Sequence, residues 1–168
     1  MQCTSAEANK MLKKLLDDHN DLLKKEEDAH TFRAATVEKL EDARPDYEYD
    51  ETQRRLSEIE GQIRAIKHAI NVFNLTKEVP GTGMTIDQVL VYLPQLTARK
   101  AKLSKMKQLQ KKKRCEGYEG NSNFIEYTYT NYDPAQAEAD YDKTANELSR
   151  IQNALDLINS TVRFEVEW

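Results

Sequence analysis

Nine Lys or Arg and no acid stand between positions 99 and 114, in "RKAKLSKMKQLQKKKR". Cations at that density attract phosphate and other anions. Tyr118, Tyr127 and Tyr129 follow closely, and aromatic rings offer flat faces on which a base stacks. Outside this arm the chain carries 16 bases against 29 acids, so the net charge of −4 conceals an acidic body with one basic segment. Arg99, Lys100 and Arg114, with Arg163 further on, are the candidate anion-holding cations, and Tyr127 and Tyr129 the candidate stackers. The opposing reading is a solvated charged face, or one paired with acids of a neighbouring subunit.

A second candidate is "EVPGTGMT", residues 78–85. A Walker-type phosphate loop needs a Lys-Ser/Thr pair after its second glycine, and no lysine stands there. The expected role is a capped turn, with Thr85 and Gln88 forming a capping box. The amides of Ile86 and Asp87 at the helix N-terminus still offer an anion some attraction, which the Asp87 carboxylate opposes. Asn71 and Asn74, just before this tip, are expected as cap or tip hydrogen-bonders and so as possible ligand contacts, together with Thr85.

Catalytic chemistry finds little to work with. His19, His30 and His68 are scattered and never reach a metal-ligand spacing such as HExxH. The four acids of "DYEYDE", residues 46–51, lie in a connector, where nothing splits their pKa values. Cys115 follows "KKKR", which favours a thiolate, but no histidine stands nearby to serve as its base. No catalytic residue, metal ligand or cofactor is assigned, and an enzyme is not expected.

The elements that position these residues are mostly helices. Residues 5–29 carry a stripe through Ala8, Leu12, Leu15, His19 and Leu22. Residues 31–37 fit either a short strand or a frayed helix end. Asp50 with Gln53 is expected as a capping box, opening a helix whose Leu56, Ile59, Ile63, Ile66, Ile70 and Phe73 form an a/d seam. This seam is expected to break at Asn74. The next helix runs through Ile86, Val89, Leu90, Leu93, Leu96 and Leu103, and Pro94 should bend or break it. "CEGYEGNSN" reads as a loop and residues 124–130 as an alternating strand. Asp133 as N-cap, Pro134 at the first turn and Gln136 as N3 partner start a last helix through Ala137, Tyr141, Thr144, Leu148, Ile151, Leu155 and Ile158, ended by Asn159-Ser160. Val162, Phe164, Val166 and Trp168 alternate with Arg163, Glu165 and Glu167 as a C-terminal strand.

The implied architecture is α+β and predominantly helical: an antiparallel bundle of about four helices with a small antiparallel sheet, in one domain over residues 1–168. A long helical hairpin occupies about 50–110 and a strand-helix-strand unit about 124–168. Long apolar seams and open sheet edges suggest that a second copy completes the core.

This order of segments resembles the septicolysin-like proteins, small bacterial proteins with no established biochemical activity. Ile70, Asn71 and Asn74 before the tip, Gly83-Met84-Thr85 after it, and Asn159 with Trp168 carry the likeness. It runs over most of the chain, best from about 50 to 168. It departs in the third helix, where the family tends to place an Arg-Asp pair and "VYLPQL" stands here.

Two cysteines make no disulfide framework, the N-terminus lacks a signal-peptide pattern, and no apolar run reaches the roughly 18 residues of a bilayer span. A cytoplasmic, membrane-free protein is the expectation. The functional reading is a homo-oligomeric binding protein that sequesters a small anionic, nucleotide-derived ligand between subunits. Alternatives are a structural or protein-interaction module whose basic arm docks on a partner, and a nucleic-acid binder, which the acidic body disfavours.

Overall fold

The structure is a computed structural model and describes residues 1–115 and 125–167. It is predominantly helical, α+β in class. Its elements run in the order β1 (Gln2–Thr4), α1 (Ser5–Ala29), α2 (Leu40–Ala43), α3 (Tyr49–Thr76), β2 (Glu78–Val79), β3 (Met84–Thr85), α4 (Ile86–Met106), β4 (Lys112–Arg114), β5 (Tyr127–Tyr129), α5 (Pro134–Thr161) and β6 (Arg163–Glu165). The chain divides into two compact units, Met1–Thr76 with Leu157–Trp168, and Lys77–Asp156.

In the first unit α1 and α3 lie antiparallel. Glu26 accepts from Gln53, His19 meets Glu60, and Ala8 packs in one cluster with Ile66, so rising numbers on α1 meet falling numbers on α3. The cluster is completed by Cys3 of β1 and by Val166 just beyond β6. Thr4 starts α1 with a full capping box: its hydroxyl accepts from the Glu7 amide while the Glu7 carboxylate accepts from the Thr4 amide. That box is legible in "TSAE" as Thr4 three residues before Glu7. The expected box of Asp50 and Gln53 does not form. Helix α3 already begins at Tyr49, and the Gln53 amide is committed to Glu26. Tyr47 donates to the same carboxylate, which pushes its hydroxyl up to about 12.

The second unit pairs α4 with the residues of α5 up to Asp156. Tyr92 donates to Glu147, Lys107 covers the Tyr141 ring, and Tyr132 donates to the Met106 carbonyl, again an antiparallel order. Val89, Leu96 and Leu103 of α4 and Ala137, Thr144, Leu148, Ile151 and Leu155 of α5 are buried. Pro94 stays inside a continuous α4. Leu90, expected on the seam, is 47% exposed. Adjacent Val89 already occupies the inward face, and one residue turns a helix about 100°.

The expected single sheet is three separate antiparallel ribbons: β1–β6, β2–β3 and β4–β5. The predicted strands near 124–130 and at the C-terminus both exist, but each pairs with a short segment hidden to alternation, β4 and β1 respectively. Residues 31–37 form no strand. Helix α3 does not break at Asn74, and α5 continues through Asn159-Ser160 to Thr161. Ile66, Leu148 and Leu155 are covered within one chain, so these seam positions need no second copy to shield them. The described helices include none long and apolar enough to cross a membrane.

Candidate functional site

The ribbon β4–β5 brings the basic arm and the tyrosines together. Lys112 faces Tyr129, Lys113 faces Thr128 and Arg114 faces Tyr127. Opposed residues of an antiparallel pair share a face, and alternate residues change face. Lys112, Arg114, Tyr127 and Tyr129 therefore occupy one face. Lys113 and Thr128 take the other, with Cys115, whose thiol sits 3.3 Å from the Thr128 hydroxyl. Glu126 falls on this second face by alternation, so among the described residues the tyrosine face of the ribbon carries no carboxylate.

The Lys112 ammonium lies 4.0 Å from the Tyr127 ring centre and 5.6 Å from that of Tyr129. The two rings stand 6.3 Å apart at 51°. An ammonium over π-faces is held by the ring quadrupole, so each tyrosine presents an electron-rich surface that already carries a cation. Both rings remain accessible, Tyr127 at 41% and Tyr129 at 62%. Flat rings beside cations are the two elements that hold a nucleotide, one through its base and one through its phosphate.

The ribbon is fixed to the end of α4. Helix C-termini leave carbonyls without intrahelical partners, and one of them, Met106 O, accepts from the Tyr132 hydroxyl at 2.8 Å and from the Leu109 amide at 3.2 Å. The Lys111 ammonium meets Asp133 at 3.1 Å. That lysine, and the Ala135 amide after it, hold the Asp133 carboxyl below its ordinary value. Asp133 thus caps α5 as the sequence predicts, although the Gln136 side chain turns to Asp140 instead of back to the cap. At the C-cap of α4, Lys107 stands 3.9 Å from the Tyr141 ring, and Lys100, further back on the helix, 5.9 Å.

Of the predicted site residues, Arg114, Tyr127 and Tyr129 are gathered on this ribbon, and Arg99 and Lys100 lie on α4 of the same unit. Lys112, which touches both rings, was not singled out by sequence; its opposition to Tyr129 follows only from the register. Arg163 belongs to the first unit, where its guanidinium donates to the Gln2 carbonyl at 3.3 Å and approaches Glu7. Asn71 and Asn74 also belong to the first unit and lie within α3, two or more residues short of its end, so neither is a helix cap. Tyr118 and most of the "CEGYEGNSN" segment lie outside the described residues.

Thr85 caps α4 in the predicted box with Gln88. The Ile86 amide, expected to be open to an anion, donates instead to Lys77 O at 2.9 Å. Gly81 and Gly83 take φ of 73° and 65°, and the Arg150 guanidinium donates to the Gly81 carbonyl at 3.0 Å. The tip is a turn whose polar groups are largely spent on itself.

The histidines are dispersed: His19 on Glu60, His30 on the Glu26 and Glu27 carbonyls, His68 exposed on α3. Among the described residues, three or more metal-ligating side chains do not converge anywhere. No family model matches the chain, and no curated protein matches it. Among solved structures it is similar to a functionally unknown conserved protein from Corynebacterium diphtheriae, 17% identical, covering 98% of this chain and all of that one with a TM-score of 0.59. The likeness establishes a shared fold.

Proposed function

We propose that this chain is a non-enzymatic, self-associating binding protein that takes a small anion bearing a flat ring, of the nucleotide class, on the tyrosine face of β4–β5. The observation that carries the reading is Lys112 seated over Tyr127 and close to Tyr129, both accessible, with Arg114 on the same face and no acid there among the described residues. A base stacks on Tyr127 or Tyr129, the displaced Lys112 ammonium and Arg114 meet the phosphate, and Arg99 and Lys100 add long-range attraction. Thr85, Asn71 and Asn74 take no part in this version of the site, because capping and placement assign them elsewhere. Self-association is supported by the open edges of the two-stranded ribbons, which present unpaired main-chain groups.

Calorimetric titration with adenosine monophosphate, adenosine and inorganic phosphate tests the ligand. The nucleotide should bind at least about ten-fold more tightly than either fragment, weaken with salt, and lose its advantage in a Tyr127→Ala/Tyr129→Ala protein. Equal affinity of the double variant and the wild type would defeat the assignment. The favoured second reading from the same charge is docking on an acidic protein, in which case salt sensitivity would appear with partner protein and not with nucleotide.

A further inference from the structure

We propose that β6 pairs with β6 of a second copy, antiparallel and centred on Phe164, so that two β1–β6 ribbons become one four-stranded sheet. This gives the self-association read above an interface, and it rests on that reading.

The main-chain groups of β6 point in two directions. The Met1 ammonium donates to Val166 O at 2.7 Å, and the Val166 amide donates to Met1 O at 2.9 Å. In an antiparallel ladder such doubly bonded pairs recur every second residue, so Phe164 also turns its main chain toward β1. The N–H and C=O groups of Arg163 and Glu165 then point away from β1. Among the described residues no second strand pairs with this edge, and it can bond another strand.

Beside that edge a cleft of about 420 Å³ runs between β6 and α3. Its floor is Phe73, stacked on Phe164 with ring centres 4.6 Å apart, and Val72 stands at its lip 45% exposed. The edge therefore carries both unpaired polar groups and adjoining apolar surface.

The order of charges on β6 selects the occupant. Residues 162–166 read Val-Arg-Phe-Glu-Val, a pattern that is its own complement when reversed about the centre. In the register that sets Phe164 against Phe164, Arg163 lies opposite the second copy's Glu165, and Glu165 opposite its Arg163. Val162 lies opposite Val166 on the inward face. The outward groups of Arg163 and Glu165 also match as a doubly bonded pair in this register. Shifting it by two residues sets Glu165 against Glu165, and like charges directly opposed are unfavourable. A basic peptide from another protein would gain no such pairing for Arg163, so charge complementarity favours a second copy.

Sedimentation velocity of the full chain over a dilution series tests this. The wild type should show a species of about twice 19.5 kDa. Glu165→Arg and Arg163→Glu should each weaken the dimer at least about ten-fold, since every swap acts on two symmetry-related pairs. The double variant R163E/E165R should recover most of the wild-type affinity. Arg163→Glu also removes the bond to the Gln2 carbonyl, so E165R and the rescue decide. Glu165→Pro deletes an outward donor that β1 does not use, and should abolish the dimer while leaving the melting temperature nearly unchanged. A monomer at all concentrations would overturn self-association altogether. A dimer unmoved by E165R and E165P would overturn this interface alone.

Discussion

Replacing Lys112 by alanine should separate the two halves of the candidate site. In the free protein the Lys112 ammonium occupies the Tyr127 face at 4.0 Å, an interaction of about 0.5–1 kcal/mol at an accessible site. A base that stacks there must first displace it. Without the lysine that cost disappears, and a neutral nucleoside should bind about two- to five-fold more tightly by the ordinary exponential relation. The nucleotide behaves differently. It gains the same relief but loses an ion pair with its phosphate, about 0.2–1 kcal/mol when exposed, so its affinity should stay within about four-fold of wild type. The preference for adenosine monophosphate over adenosine should therefore narrow in Lys112→Ala. Calorimetry or saturation-transfer NMR with both ligands on both proteins reads this directly. Adenosine affinity that stays constant or falls in the variant would refute the claim that the lysine guards the rings.

Gly81→Ala should lower stability by about 1–2 kcal/mol in urea unfolding, because φ is 73° and the added carbon would sit 3.1 Å from the Arg150 guanidinium. The Glu7 carboxyl is held below its usual 4.5 by the Thr4 amide and then by Arg163. A depressed folded value means stability that is present above the unfolded pKa and lost as pH falls through the folded one. Glu7→Gln should accordingly flatten the acid side of the stability profile below about pH 4.5, as followed by circular dichroism at stepped pH. Cys115 is exposed and Cys3 buried, with burial pushing the Cys3 thiol up. A thiol reagent should label one site per chain rapidly in native buffer and the second only on unfolding, read by intact mass.

Periodicity made the helices legible because their burial is periodic. Ala137, Thr144, Leu148, Ile151, Leu155 and Ile158 of α5 are all buried where the 4-3 spacing places them. The ribbons were hidden for two physical reasons. Strands of two or three residues, such as Glu78–Val79 and Lys112–Arg114, are too short to show alternation, and Lys-Lys-Arg reads first as solvated charge. Their partners also lie outside any local window, as with Gln2 opposite Glu165. For the same reason the tyrosines were visible in sequence while the lysine between them was not. The helix start at Tyr49 shows the limit of cap patterns: Asp50 and Gln53 have the right types, but a tertiary acceptor, Glu26, claims the glutamine.

The β1–β6 pairing has a consequence for biosynthesis. Met1 and Val166 bond each other across 165 positions of chain, so the cluster of Cys3, Ala8, Ile66 and Val166 cannot close while the ribosome is still making the intervening residues. Helix α3 can cover most of the greasy side of α1 earlier, but β1 and the cluster around Cys3 stay open until β6 arrives, and closing so long a loop is entropically slow. Until β6 is made, that open end of the first unit is exposed to chaperones and to sticking to its neighbours.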